Sequence, residues 1–214
     1  MNYDLYMNEY NKIGYSKKGI TIIDNAVEKE DLDKLNNFIL NQNRTGPIGQ
    51  WEIEDEEIKN IIIKYENITY GHIEKNYVNK FGVKVDQKPE NPGHLVKWAD
   101  LGEGFMPHSD SETRSRKPAV KGGFYRYNIT TIYYLTDGYI GGEIYYPDFD
   151  NFQPKVTAGT LVMFPSRYTH AIHPLQSGTR HTMPAWFRFS VEDEYTKSDH
   201  GTEEDISSVL FDVK

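Results

Sequence analysis

Phe164-Pro165-Ser166-Arg167-Tyr168-Thr169-His170-Ala171-Ile172-His173-Pro174-Leu175-Gln176-Ser177-Gly178-Thr179-Arg180 joins two β-rich runs, residues 160–164 and 180–191. Its Pro, Ser and Gly residues punctuate the chain, so the flanking runs read as short strands and not as helix. Working outward, residues 94–98, 125–135 and 142–146 have the same texture. Gly102-Glu103-Gly104, Gly122-Gly123, Asp137-Gly138 and Gly141-Gly142 supply the breaks between them. Before residue 84 the pattern changes. Residues 19–24 read as a strand, and 28–42 carry Leu32, Leu35, Phe38 and Ile39 at helical spacing. Gly46-Pro47-Ile48-Gly49 breaks the chain, and residues 55–81 place Ile58, Ile61, Ile62, Tyr65, Ile68 and Ile73 on one stripe. Weak helix formers at 67–71 leave open a division of that stretch into two helices. Short strands preceded by helices predict an antiparallel barrel or sandwich with helices packed on one sheet.

Bulk properties narrow the field. At 214 residues, 37% of them hydrophobic, the chain can bury a core as one domain. No cysteine is present, which excludes disulfides, thiolate zinc sites and cysteine nucleophiles. The formal net charge of −8 argues against a polyphosphate-backbone binder, so no nucleic-acid partner is expected. No apolar run of about 18 residues occurs. The start, Met1-Asn2-Tyr3-Asp4-Leu5-Tyr6, lacks the basic and apolar regions of a secretory signal. No membrane partner is expected, and a cytoplasmic location is.

Metal-ligating residue types recur in a telling order. His108-Ser109-Asp110 places an imidazole and a carboxylate on the same side of a strand, within reach of one ion. A second imidazole comes from His170 or His173. Two neutral nitrogens and one hard oxygen on one face of a metal leave three positions open, the pattern of non-haem Fe(II). Arg180 adds a permanently charged fork suited to a carboxylate. In the 125–135 strand, Arg126, Asn128, Thr130, Ile132 and Tyr134 share a face that is polar for a core, as a ligand-holding lumen would require. Arg180, Thr182 and Trp186 share parity on the following strand. His72, His94, His181 and His200 read as ordinary surface or half-buried residues. Residues 111–123, with Arg114, Arg116, Lys117 and Lys121, read either as a solvated loop or as a substrate-contacting lid.

Together these stretches resemble the prolyl 4-hydroxylase-like branch of the Fe(II)/2-oxoglutarate-dependent dioxygenases. That family carries a Phe-Pro-Ser turn, then His-x-Val-x-Pro, then Gly-x-Arg. His170-Ala171-Ile172-His173-Pro174 fits with Ile172 in the Val position, which favours His170 over His173 as ligand. The similarity spans residues 94 to 190. It implies a double-stranded β-helix, a cupin-like jelly roll, with N-terminal helices supporting one sheet. It also implies a single dioxygenase domain over 1–214: strand and helices in 1–83, the β-helix core in 84–192, and a C-terminal extension in 193–214. By the same resemblance His108, Asp110 and His170 are the metal ligands and catalytic centre. Arg180, Tyr134 and Thr130 bind the cosubstrate, and Trp186, Trp98 and Arg126 face the substrate. Fe(II), 2-oxoglutarate and O2 are the implied cofactors, with ascorbate as reductant. A proline-containing peptide or protein is the implied substrate. A free amino acid or other small molecule is the alternative, followed by nucleic-acid demethylation and a non-enzymatic metal-binding barrel. Trp98, ten residues before His108, stands where relatives often carry a pocket tyrosine. Gly141-Gly142-Glu143 matches a structural turn of the family.

Overall fold

The structure is a computed structural model that describes residues 15–17, 19–75, 84–85, 93–99, 101–110, 129–166, 168–187 and 189–190. Two strands, β1 (Tyr15–Lys17) and β2 (Ile20–Ile23), precede helix α1 (Lys29–Leu40). Strand β3 (Gly46–Ile48) leads to helix α2 (Glu56–Ile73). The β-rich part comprises β4 (Lys84–Val85), β5 (Leu95–Trp98), β6 (Phe105–His108), β7 (Ile129–Tyr134), β8 (Ile144–Tyr145), β9 (Leu161–Pro165), β10 (His170–Ile172), β11 (Arg180–Phe187) and β12 (Phe189–Ser190).

A major sheet runs β1-β2-β9-β7-β11-β5-β3, a minor sheet runs β6-β10-β8, and β12 pairs with β4. Neighbouring strands are antiparallel throughout. The central strands alternate between two environments, as a period of two requires. Ile129, Tyr133, Leu135, Met183, Ala185 and Phe187 join Leu35, Ile39, Ile58, Ile61, Ile62 and Tyr65 in a core between sheet and helices. The opposite residues, including Thr130, Ile132, Thr182 and Trp186, line a cavity shared with the minor sheet. Helices thus cover one face of the major sheet, as the strand periodicity predicts.

Helix α2 is capped by Asp55, whose carboxylate accepts from the amides of Glu57 and Ile58. The division considered at 67–71 does not occur. Thr69 stays helical and buried, its hydroxyl bonded to the Tyr65 carbonyl at 2.7 Å and in contact with the Tyr133 hydroxyl of the sheet at 2.7 Å. Tertiary packing thereby overrides a weak propensity. Thr69 is buried where Ile68 was expected, and Ile68 is 36% exposed. The two helices are tied by Asp31, which accepts from the Tyr65 hydroxyl at 2.9 Å and from Lys64 at 2.7 Å.

Gly46-Pro47-Ile48 is an edge strand and not merely a break. Pro47 pairs with Val96 at the margin of the major sheet, the position where a residue without an N–H is tolerated. Among the described residues no helix is long and apolar enough to cross a membrane.

Candidate metal centre and cosubstrate pocket

The minor sheet brings the two histidine strands together. His108 on β6 is the direct antiparallel partner of His170 on β10. Their rings lie 4.4 Å apart, centroid to centroid. Asp110 follows β6 and is anchored where its amide donates to the Ser166 carbonyl at 2.9 Å. One ligand atom from each of His108, Asp110 and His170 falls within 4.8 Å of the others. His108 Nε2 lies 3.6 Å from Asp110 Oδ1, and His170 Nε2 lies 3.6 Å from Asp110 Oδ2.

Both imidazoles are oriented in the same way. His108 Nδ1 meets the Met106 carbonyl at 2.7 Å, and His170 Nδ1 meets the Tyr168 carbonyl at 3.0 Å. A carbonyl only accepts, so each Nδ1 carries the proton and each Nε2 presents a lone pair toward Asp110. Asp110 is held in turn, because the Thr130 hydroxyl donates to its Oδ2 at 2.7 Å and itself contacts Ser166 Oγ at 2.9 Å. Burial opposes the Asp110 charge, but the adjoining His170 and contacts with His108, Thr130 and Trp186 outweigh it and bring the carboxyl down to about 2. Burial pushes the His170 imidazole toward its neutral form. An ionised carboxylate beside imidazoles with free Nε2 lone pairs is the donor set a ferrous ion takes.

His173 is not part of this cluster. Its ring stacks on Tyr145 at 4.3 Å, and its Nε2 contacts Gln153 Nε2 at 2.6 Å. Between the two candidates for the distal ligand, the backbone directs His170 inward.

The cavity holding the three side chains has a volume of about 330 Å³, within the small-ligand range. Arg180, which is 2% exposed, also lines it. Arg180 Nε and Nη2 and the Tyr134 hydroxyl are buried without a hydrogen-bond partner among the described residues. Burial raises the Tyr134 phenol, so it remains a protonated donor. Buried donors of this kind are costly unless a ligand satisfies them, and a carboxylate matches them in charge and geometry. These residues therefore fit the distal carboxylate of 2-oxoglutarate.

Thr130, expected to bind cosubstrate, lines the cavity with its hydroxyl committed to Asp110. Trp98 and Trp186 both line the cavity. Arg126 and the 111–123 loop lie outside the described residues. His94, expected to be an ordinary surface or half-buried residue, is half-buried. It lines the cavity and stacks on Trp186 with centroids 5.3 Å apart. The strand alternation of His94, Val96 and Trp98 carried that signal, since all three face the cavity. His94 is seated by its own amide, which donates to the Pro184 carbonyl, and by the preceding Gly93 amide, which donates to Glu66. Pro47 and Pro184 complete this wall.

No family model matches the chain. It is 31% identical over 98 residues to a PKHD-type hydroxylase of Methylobacterium nodulans, covering 44% of this chain and 42% of that one. A PKHD-type hydroxylase of Shewanella sp. (strain MR-7) is 34% identical over 96 residues, covering 44% and 41%. The chain thus spans less than half the length of these curated relatives. Among solved structures, a viral collagen prolyl hydroxylase from Paramecium Bursaria Chlorella virus-1, in complex with 2-oxoglutarate, superimposes with a TM-score of 0.60 at 17% identity, covering 82% of this chain and 97% of that one. A prolyl hydroxylase from Trichoplax adhaerens, in complex with a hypoxia inducible factor peptide fragment, gives 0.60 at 18% identity, covering 86% and 90%. The chain thus shares its fold with these prolyl hydroxylase structures and is similar in sequence, over 44% of its length, to PKHD-type hydroxylases.

Proposed function

We propose that the protein is an Fe(II)- and 2-oxoglutarate-dependent hydroxylase that acts on a prolyl residue within a peptide or protein. The observation that carries this reading is the convergence of His108, Asp110 and His170 in a cavity also lined by Arg180, whose buried Nε and Nη2 have no hydrogen-bond partner among the described residues. His108 Nε2, a carboxylate oxygen of Asp110 and His170 Nε2 would hold Fe(II). Arg180 and Tyr134 would hold the distal carboxylate of 2-oxoglutarate. With O2 as the oxidant, the bound metal and cosubstrate would supply the chemistry that turns a substrate C–H into C–OH, one oxygen atom entering the product and the other the succinate released with CO2. The chain's own residues orient the ligands, neutralise the dicarboxylate and screen the site from water. Asp110 and its Thr130 partner keep the carboxylate ionised and directed, and the His94–Trp186 stack with Pro47 and Pro184 offers an apolar wall to the substrate.

That wall favours a peptidyl substrate over a free amino acid. The only charged side chains lining the cavity among the described residues are Asp110 and Arg180, and both are committed in this reading. A zwitterionic amino acid would bring an ammonium and a carboxylate, each requiring a buried partner. A residue within a peptide brings neutral amides instead. The formal charge of −8 weighs against a nucleic-acid substrate.

The test is succinate formation with Fe(II), 2-oxoglutarate and ascorbate, after addition of a proline-rich peptide, free proline or a methylated oligonucleotide. Acceleration by the peptide, with a gain of 16 mass units at proline, is the expected result. Acceleration by free proline alone would move the assignment to small-molecule hydroxylation. No succinate under any condition would reject an enzyme of this class.

A further inference from the structure

We propose that Trp98 is a positioning residue that makes the cavity selective for 2-oxo acids bearing a distal carboxylate, by clamping Arg180 with one edge free. The proposal rests on the 2-oxoglutarate reading above. Trp98 is the cross-strand partner of Arg180 in the β5–β11 ladder. The Arg180 Cζ lies 4.8 Å from the centre of the Trp98 ring and 5.2 Å from that of Tyr134. Strands β5 and β7 flank β11 on opposite sides, so the two rings reach the guanidinium from both sides. Among the described residues no carboxylate forms an ion pair with Arg180.

A guanidinium offers two kinds of surface. Its flat faces attract aromatic rings, and its edges carry all the N–H donors. Rings against the guanidinium can therefore stabilise the buried charge without consuming a donor, which agrees with Nε and Nη2 having no hydrogen-bond partner among the described residues. Indole is the strongest of the aromatic partners for a cation. The aliphatic stem is confined as well. At Gly142, where φ is +73°, an added Cβ would come within 2.8 Å of Arg180 Cδ. Rotation of Arg180 away from the cavity is thus opposed by backbone on the stem and by indole on the head. In place of a phenol that could bond the ligand directly, this chain has a larger π face that acts through Arg180.

Selectivity is measurable without turnover. Calorimetry on Mn(II)-loaded protein would compare binding of 2-oxoglutarate with 2-oxopentanoate, which has the same chain length but no distal carboxylate. Wild type should prefer 2-oxoglutarate. W98L should lower that preference about tenfold, W98F should largely retain it, and 2-oxopentanoate affinity should change little in either. If W98L does not fold, W98M serves as the ring-free variant. An undiminished preference in the ring-free variant overturns the Trp98 proposal. Absence of any preference in wild type would overturn the 2-oxoglutarate reading itself.

Discussion

In the proposed assignment, each group at the metal end of the cavity is held by a hydrogen bond from or to a neighbouring residue. His108 and His170 each spend Nδ1 on the carbonyl two residues earlier, and Thr130 donates to Asp110. At the proposed carboxylate end, Arg180 Nε and Nη2 and the Tyr134 hydroxyl are buried with no hydrogen-bond partner among the described residues, and two aromatic rings lie against the guanidinium. The contrast follows from what each end must bind. A metal needs ligands of fixed tautomer and direction, so supporting bonds improve it. A dicarboxylate needs open donors, and any internal hydrogen bond would compete with it. The first end is preorganised by saturation and the second by confinement.

Substitutions can break each end separately. Asp110→Ala removes the carboxylate of the triad and should reduce iron-dependent succinate formation to background, with loss of Mn(II) binding by calorimetry; unchanged turnover would reject the triad. Arg180→Ala should leave Mn(II) binding intact while raising the 2-oxoglutarate concentration for half-maximal rate about 30-fold or more, since truncating one partner of a buried charge pair costs roughly 2–5 kcal/mol. An unaltered cosubstrate requirement would mean that another group holds that carboxylate. Thr130→Val should weaken metal affinity about tenfold or more, the usual cost of losing an outer-shell partner, while the preference for 2-oxoglutarate over 2-oxopentanoate persists. A lost preference with intact metal binding would assign Thr130 to the cosubstrate end after all. Tyr134→Phe should cost the least, about fivefold in 2-oxoglutarate affinity, as one hydrogen bond contributes about 1 kcal/mol. Equal weakening of Mn(II) binding would show that the two ends are not independent.

How much of this was legible beforehand differs between the ends in the same way. His-x-Asp and the Phe-Pro-Ser…His block are short local patterns, and the carbonyls that orient the imidazoles lie two residues before each one. Helices α1 and α2 were visible in their apolar stripes, apart from the exchange of Ile68 for Thr69 that only packing reveals. Strands β6 and β10 are too short for alternation to register. The Gly46–Ile48 strand was hidden by its turn-forming residues, since an edge position makes Pro47 acceptable. Alternation with Val96 and Trp98 marks the face of His94, but its place beside Trp186 depends on pairing between β5 and β11.

Residue chemistry and periodicity by themselves determined the ligand types, the strand faces and the presence of a helix-backed β fold. Those properties are local, because side-chain basicity and a repeat of two or 3.6 residues need no distant partner. The tertiary structure decided that His170 turns inward and His173 outward, that Arg180 lies between Trp98 and Tyr134, and that His94 enters the cavity. Each of these depends on strand register, in which a shift of one residue would turn every side chain to the opposite face.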